Sequence, residues 1–345
     1  MHPRANTDVA RRRLANQRLV GKPFRSAIDA VAQLGAVQAQ DYAGAKWAIA
    51  QRTAKETDAS IEALIADGSL LRTHVLRPTW HLVLPADIRW MLALTGPRIG
   101  AAISSLNRRL EVTAKLFVRA ADVMTRALEG GKHLTRAELA AALQRARIDS
   151  SDSLRMGNFL MQAEVDALIC SGARRGKQLT FALLDERAPS TAPIDRDEAL
   201  ARLATRYFAT RAPATIHDFA WWSGLTVSDA RRGAEAARPQ KSFRTPKPTT
   251  SVHLLPNYDE FFIGYRDRGA ILERVVGATP MQRDTALVSN VIEIDGQLVG
   301  GWRRSTKAKT TSVETTYLAT VSPAERRAVS GQIARYVAFT GGDAS

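Results

Sequence analysis

The chain has 345 residues, 49 Lys and Arg against 34 Asp and Glu, a formal charge of +15, 45% hydrophobic residues and a single cysteine. That one thiol, Cys170, excludes a disulfide framework, a zinc ribbon, a Cys-rich finger and a four-Cys iron–sulfur cluster. The basic excess attracts a polyanion, with nucleic acid the first candidate, and it is uneven: +8 in residues 1–110, +2 in 111–190 and +5 in 191–345.

The start, MHPRANTDVARRRLANQRL, is basic but lacks the apolar stretch of a secretory signal. No apolar run approaches the ~18 residues that a membrane span needs. A cytoplasmic, nucleoid-associated protein without a membrane partner is expected. Asp8 is read as the cap of a first helix carrying Arg11, Arg12, Arg13 and Arg18, and Ser26 as the cap of AIDAVAQL, which Gly35 ends. A third helix follows Asp58 and stops at Gly68; LLRTHVLRPTWHLVL then reads as two strands joined near Arg77-Pro78. Helices followed by a two-stranded hairpin are the order of a winged-helix module.

The same order recurs. Lys115 to Glu129 forms one helix, Thr135 with Glu138 makes a capping box for a second, and SLRMGNFLMQAEVDALI is a third. A second hairpin follows, ICSG to QLTFALL, with Arg174, Arg175 and Lys177 on its turn. A third pass takes in DEALARLATRYFATR, Ala214 to Trp222 and VSDARRGAEAA, and closes in a Pro-rich passage, Arg238 to Thr249, without a clear wing. The last hundred residues are β-rich, with an Asp295-Gly296 hairpin turn, and end in the helix SPAERRAVSGQIARYVAF. The fold expected is α+β, mainly α: winged-helix units at 1–110, 111–190 and 191–250, then a β subdomain with its terminal helix at 251–345.

No phosphate loop, dinucleotide Gly fingerprint, HExxH or GxSxG sequence occurs, which removes the commonest nucleotide, metalloprotease and hydrolase readings. Two stretches stand out. In LGAVQAQDYAGAKW, Gln38 and Gln40 would project to one side of an extended backbone and present paired amides that fix a water, although a hydrogen-bonding loop pair has the same pattern. In HLLPNYDEFFIGYRDR, residues 253–268, a buried Asp-to-Arg ion pair in a docking segment is one reading. The other sets Tyr258, Tyr265, Arg266 and Arg268 against a nucleic acid strand, aromatics stacking on bases and Arg pairing with phosphates.

The strings LGAVQAQDYAGAKW, LLRTHVLRPTWHLV, LLPNYDEFFIGYRDR and DGQLVGGWRR, spread over residues 34–304, together resemble the winged-helix DNA-binding proteins related to the bacterial DNA glycosylases AlkZ and YcaQ. The resemblance implies a C-shaped array of three tandem winged helices with a C-terminal β domain and a basic channel for duplex DNA. It also implies excision of N7-alkylated purines, interstrand crosslinks included. The family motif is Gln, an apolar residue, then Gln in the AlkZ branch or Asp in the YcaQ branch. Gln38, Ala39 and Gln40 match the AlkZ form, and the catalytic role goes to both glutamines; Asp41 is one position off the YcaQ form and receives none.

The chemistry suits amides. An N7-alkylated purine is already cationic and leaves without an acid, so the enzyme must hold a water at the anomeric carbon and stabilise an oxocarbenium-like sugar. The first hairpin is the natural groove probe, with Arg72, Arg77, Thr79 and His81 facing DNA; alternatively it only completes a core with Val75, Trp80 and Leu82 inside. The expectation is a monomeric, monofunctional DNA N-glycosylase acting on double-stranded DNA that carries alkylated purines, with no metal or other cofactor and no role for Lys46. The rivals are a non-catalytic winged-helix DNA-binding protein, such as a regulator, and a protein-contact module.

Overall fold

Capping chemistry sets most helix boundaries in the computed structural model, which describes residues 3–238, 250–279, 289–307, 310–341 and 343–344. The chain divides into two units, one drawn from residues 1–62, 201–222 and 227–345, the other from 63–200 with 223–226.

The first unit begins with α1 (Pro3–Asn16), opening on a proline whose missing N–H costs nothing in a first turn. The cap expected at Asp8 is therefore corrected, because that residue lies inside the helix. Helix α2 (Ala27–Leu34) starts where Ser26 accepts from the Asp29 N–H at 3.1 Å and stops at Gly35, φ 82°. A short strand, β1 (Val37–Gln38), leads to α3 (Tyr42–Gln51), which the sequence reading did not contain. Its residues are buried from Gly44 to Gln51, so no polar stripe marks it as a helix. Next, α4 (Asp58–Ala66) ends before Gly68, φ 91°.

The second unit holds both expected hairpins. Strands β2 (Leu71–His74) and β3 (Trp80–Val83) pair antiparallel, Arg72 opposite Leu82. They precede α5 (Pro85–Arg109), a 25-residue helix hidden from the sequence reading because Pro97 stands inside it as an apparent breaker. Thr113 caps α6 (Ala114–Leu128), whose Ala120, Met124 and Leu128 line up four apart on the buried face. Strand β4 (Leu134–Thr135) runs into α7 (Arg136–Arg145), where the Thr135/Glu138 capping box is present as expected. Then come α8 (Ser153–Val165), the hairpin β5 (Ile169–Ser171) and β6 (Thr180–Leu183), and a single turn α9 (Leu184–Arg187). The sheet order is β4-β6-β5, and Leu139, Leu143, Met156, Phe159, Ile169 and Phe181 fill the core beneath it.

Helices α10 (Arg196–Arg211), α11 (Ile216–Ser223) and α12 (Val227–Ala236) match the expected third group. Most of the Pro-rich passage, and the Leu287-Val288 start of the β-rich region, lie outside the described residues. The rest of the first unit is β7 (Val252–Leu255), the short helix α13 (Glu260–Ile263), β8 (Asn290–Ile294), β9 (Gln297–Lys307), β10 (Thr310–Tyr317), α14 (Pro323–Thr340) and β11 (Asp343–Ala344). These strands form one sheet ordered β11-β10-β9-β8-β7, and the β8–β9 turn has positive φ at both Asp295 and Gly296, as a tight hairpin demands. Tyr336 of α14 packs edge-on against both Trp47 and Trp302, ring centroids 5.1 and 5.0 Å away. The described chain is thus mainly helical with a C-terminal sheet, as its residues lead one to expect.

Candidate active site

The glutamine motif occupies the passage from β1 into α3. Gln38 ends the strand with 5% of its surface exposed and Ala39 is buried, whereas Gln40 is exposed in a bend. An extended backbone through both glutamines is therefore not what forms. The carboxylate of Asp41 accepts from the Gly44 N–H at 3.1 Å and begins α3 immediately, cutting the strand after Gln38. Arg304 on β9 donates to both oxygens of Asp41, at 2.7 and 2.8 Å. Burial works against the Arg304 charge, but Tyr336 and Asp41 outweigh it and hold its pKa above the ordinary value. Gly44 is needed here: a Cβ would stand 2.6 Å from an Asp41 oxygen and 3.0 Å from Pro256.

Behind the motif lie two buried carboxylate–arginine pairs. Asp259 takes Arg52 bidentately, at 2.9 and 2.7 Å, and Arg52 also donates to Ala48 O and to the Gln17 side-chain oxygen. Glu260 accepts from Arg211 at 2.6 Å, from the Trp222 indole at 2.9 Å and from the main-chain N–H of Gln38 at 3.0 Å. All four charged side chains are 0–1% exposed. The docking reading of the HLLPNYDEFFIGYRDR segment describes its acidic pair. Neither arginine was legible as a partner, because each is remote in sequence and without a local motif. Trp47 joins the same assembly by donating to Leu254 O at 2.6 Å. Three of the four singled-out strings, those holding Gln38, Asp259 and Arg304, thereby meet in the first unit.

Tyr265 does not join a nucleic acid face. It is 1% exposed, donates to Arg211 O at 3.0 Å, and carries the Arg13 guanidinium 3.7 Å from its ring centroid; burial pushes its phenol pKa up. A ring so covered has no face left for a base. Its neighbours differ: Arg266 is exposed, while half-buried Arg268 donates to Phe262 O at 3.1 Å and half-buried Tyr258 sits at φ 64°. Lys46 donates to Asp58 and Glu62, 2.8 Å each, with its side chain 1% exposed. Three cations not among the expected DNA contacts, Arg18, Lys22 and Arg25, line a cleft of about 370 Å³ with Phe24 and Asp29.

In the second unit the first hairpin is more buried than a probing element would be. Arg72 is 7% exposed and stacks on Trp80 at 4.2 Å, and His81 is 0% exposed with Nδ1 2.9 Å from Thr79 O. Arg77 and Thr79 are half-buried on the turn. His74, also buried, pairs with Glu164, which additionally accepts from the Trp80 indole at 3.2 Å. Val75 and Leu82 are fully buried, as the core-completing reading has it, whereas Trp80, which that reading also put inside, is only half-buried. On the second hairpin Arg175 and Lys177 are exposed and Arg174 is half-buried. Arg175 is ion-paired to Glu138, whose carboxyl it pulls down to about 2 with help from the Thr135 N–H and hydroxyl. Cys170 is sealed in β5, and burial pushes its thiol up to about 12.

A family model described as DNA glycosylase AlkZ-like matches residues 31–339, a span that includes the motif, both hairpins and both carboxylate–arginine pairs. The chain belongs to the AlkZ-like DNA glycosylase family. The interstrand DNA cross-link repair glycosylase of Streptomyces sahachiroi is 26% identical to this AlkZ-like chain over 320 residues, 84% of this chain and 85% of that protein. The solved structure of the Streptomyces sahachiroi DNA glycosylase AlkZ is similar in fold, with a TM-score of 0.72 and 25% identity over 97% of this chain and 96% of that one. DNA is accordingly the substrate class of this AlkZ-like enzyme, and cleavage of a base–sugar bond its reaction class.

Proposed function

We propose that the protein is a monofunctional, monomeric DNA N-glycosylase that releases N7-alkylated purines from duplex DNA by water attack, interstrand crosslinks included, its Streptomyces relative being named an interstrand DNA cross-link repair glycosylase. Winged-helix units built from the helices and hairpins would grip the duplex through Arg77, Thr79, Arg174, Arg175, Lys177, Arg266 and Arg268. The observation that carries this reading is an exposed Gln40 beside a Gln38 whose backbone is tied to a buried carboxylate. An amide oxygen at Gln40 can accept from the attacking water, and the electron-rich carbonyls of the pair oppose the positive charge that grows on the sugar. The alkylated base leaves neutral, so no general acid is required. Attack by water rather than by an amine agrees with Lys46, whose ammonium is held by two carboxylates.

The test is incubation with an N7-methylguanine duplex and with a nitrogen-mustard crosslink, scoring free base and abasic sites, for the wild type and Gln40→Ala. Wild type is expected to release base, and the variant to bind DNA normally while excision falls at least ~100-fold. Binding without any release by the wild type would leave a DNA-binding protein in place of the enzyme. Equal loss of binding and activity in the variant would make Gln40 structural.

A further inference from the structure

We propose that Glu260 is the positioning residue of the glutamine motif, a buried carboxylate that holds Gln38-Ala39-Gln40 by the main chain and sets where Gln40 stands. The proposal rests on the reading of that motif as catalytic. One oxygen of Glu260 accepts from the Gln38 N–H at 3.0 Å; the other accepts from Arg211 at 2.6 Å and from Trp222 at 2.9 Å. Arg211 in turn donates to the carbonyl of Leu34, the last residue of α2, at 2.9 Å. A single ion pair thus grips the segment at both ends, at Leu34 through its C=O and at Gln38 through its N–H. Two residues beyond the grip comes Gln40. On its other side Asp41 is fixed by Arg304, so the exposed glutamine is suspended between two anchored points.

The chemistry of the site demands a carboxylate. Three donors converge on two oxygens, and nothing but an acceptor can stand at either position. Glutamine has one acceptor and one donor. With its oxygen toward Arg211 and Trp222, the more favourable choice beside a cation, its NH2 would face the Gln38 N–H and push the strand away. Water cannot substitute, because Glu260 and Arg211 are 1% and 0% exposed. Gly264 belongs to the same fit: a Cβ there would stand 2.6 Å from Glu260 O and 3.1 Å from Arg211 Nε.

Asp259 supplies the control. It is equally buried, also paired to arginine through both oxygens, and adjacent in sequence, but its carboxylate bonds to Arg52 and to the Phe261 N–H, not to the motif. Glu260→Gln and Asp259→Asn are the same one-atom change and should lower thermal stability similarly. Single-turnover excision from saturating N7-methylguanine duplex, at a temperature where circular dichroism shows each variant folded, separates them. Glu260→Gln is expected to lose about 100-fold in excision, the scale that a misplaced reacting group costs, with DNA affinity unchanged. Asp259→Asn should stay close to wild type.

If the two variants lose excision in equal measure, or Glu260→Gln loses none, while Gln40→Ala is inactive, the positioning role fails and the motif reading stands. If Gln40→Ala excises normally, both fail together. Should Glu260→Gln not fold, Arg211→Lys replaces it. An ammonium cannot span Glu260 and Leu34 as the guanidinium fork does, so excision should drop with affinity intact, and full activity in that variant overturns the proposal.

Discussion

Arg52 shows how much a single side chain can carry here. Its guanidinium joins the α3 carbonyl of Ala48, the Gln17 amide and both oxygens of Asp259, all away from solvent. Removing one partner of a buried ion pair leaves the other uncompensated, so Arg52→Ala is expected to cost about 3–5 kcal/mol of unfolding free energy. Urea denaturation followed by circular dichroism measures it, and a loss below ~1 kcal/mol would mean that Asp259 finds other donors. Neither Arg52 nor Arg211 announces its role in the sequence. The carboxylates that define them lie 207 and 49 residues away, and local pattern carries no information about such pairings. What was legible is the other half: an acidic dipeptide among aromatics that has to be neutralised when buried, and a pair of glutamines in an unusual spacing.

Among elements, the ones with chemical punctuation were readable and the ones without it were not. Ser26 with Gly35, Thr135 with Glu138, Ser322 with Glu325, and Asp295-Gly296 all mark real boundaries. Helix α3 was missed because it is buried along most of its length, and α5 because Pro97 reads as a stop. The second hairpin offers a test of one such device. Arg175 on its turn holds Glu138 of the capping box at about 2, below the ordinary 4.5. A depressed carboxylate contributes stability above its unfolded value and loses it as pH falls through the folded one. The stability difference between wild type and Arg175→Ala should therefore be constant above pH 4.5 and shrink between 4.5 and about 2. Chemical denaturation at a series of pH values reads it directly. A difference that does not change with pH would mean that Arg175 acts through packing and not through the Glu138 charge.

For the whole molecule, charge and fold point to the same partner. The +15 chain belongs to a family that acts on DNA, and phosphate neutralisation makes such binding salt-dependent. The logarithm of affinity should fall linearly with the logarithm of salt concentration, by about 0.9 per phosphate contact. If the cleft of Arg18, Lys22 and Arg25 meets the backbone, Lys22→Ala should weaken binding alike for all sequences and reduce that slope by about 1 in fluorescence anisotropy titrations. An unchanged slope would place the cleft off the DNA.

The discontinuity of the first unit has a consequence for how the enzyme comes into being. Residues 63–200, the bulk of the second unit, leave the ribosome as one continuous stretch, whereas residues 1–62 emerge earlier and belong with segments not yet synthesised. Gln38 waits 222 residues for the carboxylate that fixes it. A nascent chain severed anywhere before Glu260 carries the motif without the carboxylate that binds its main chain.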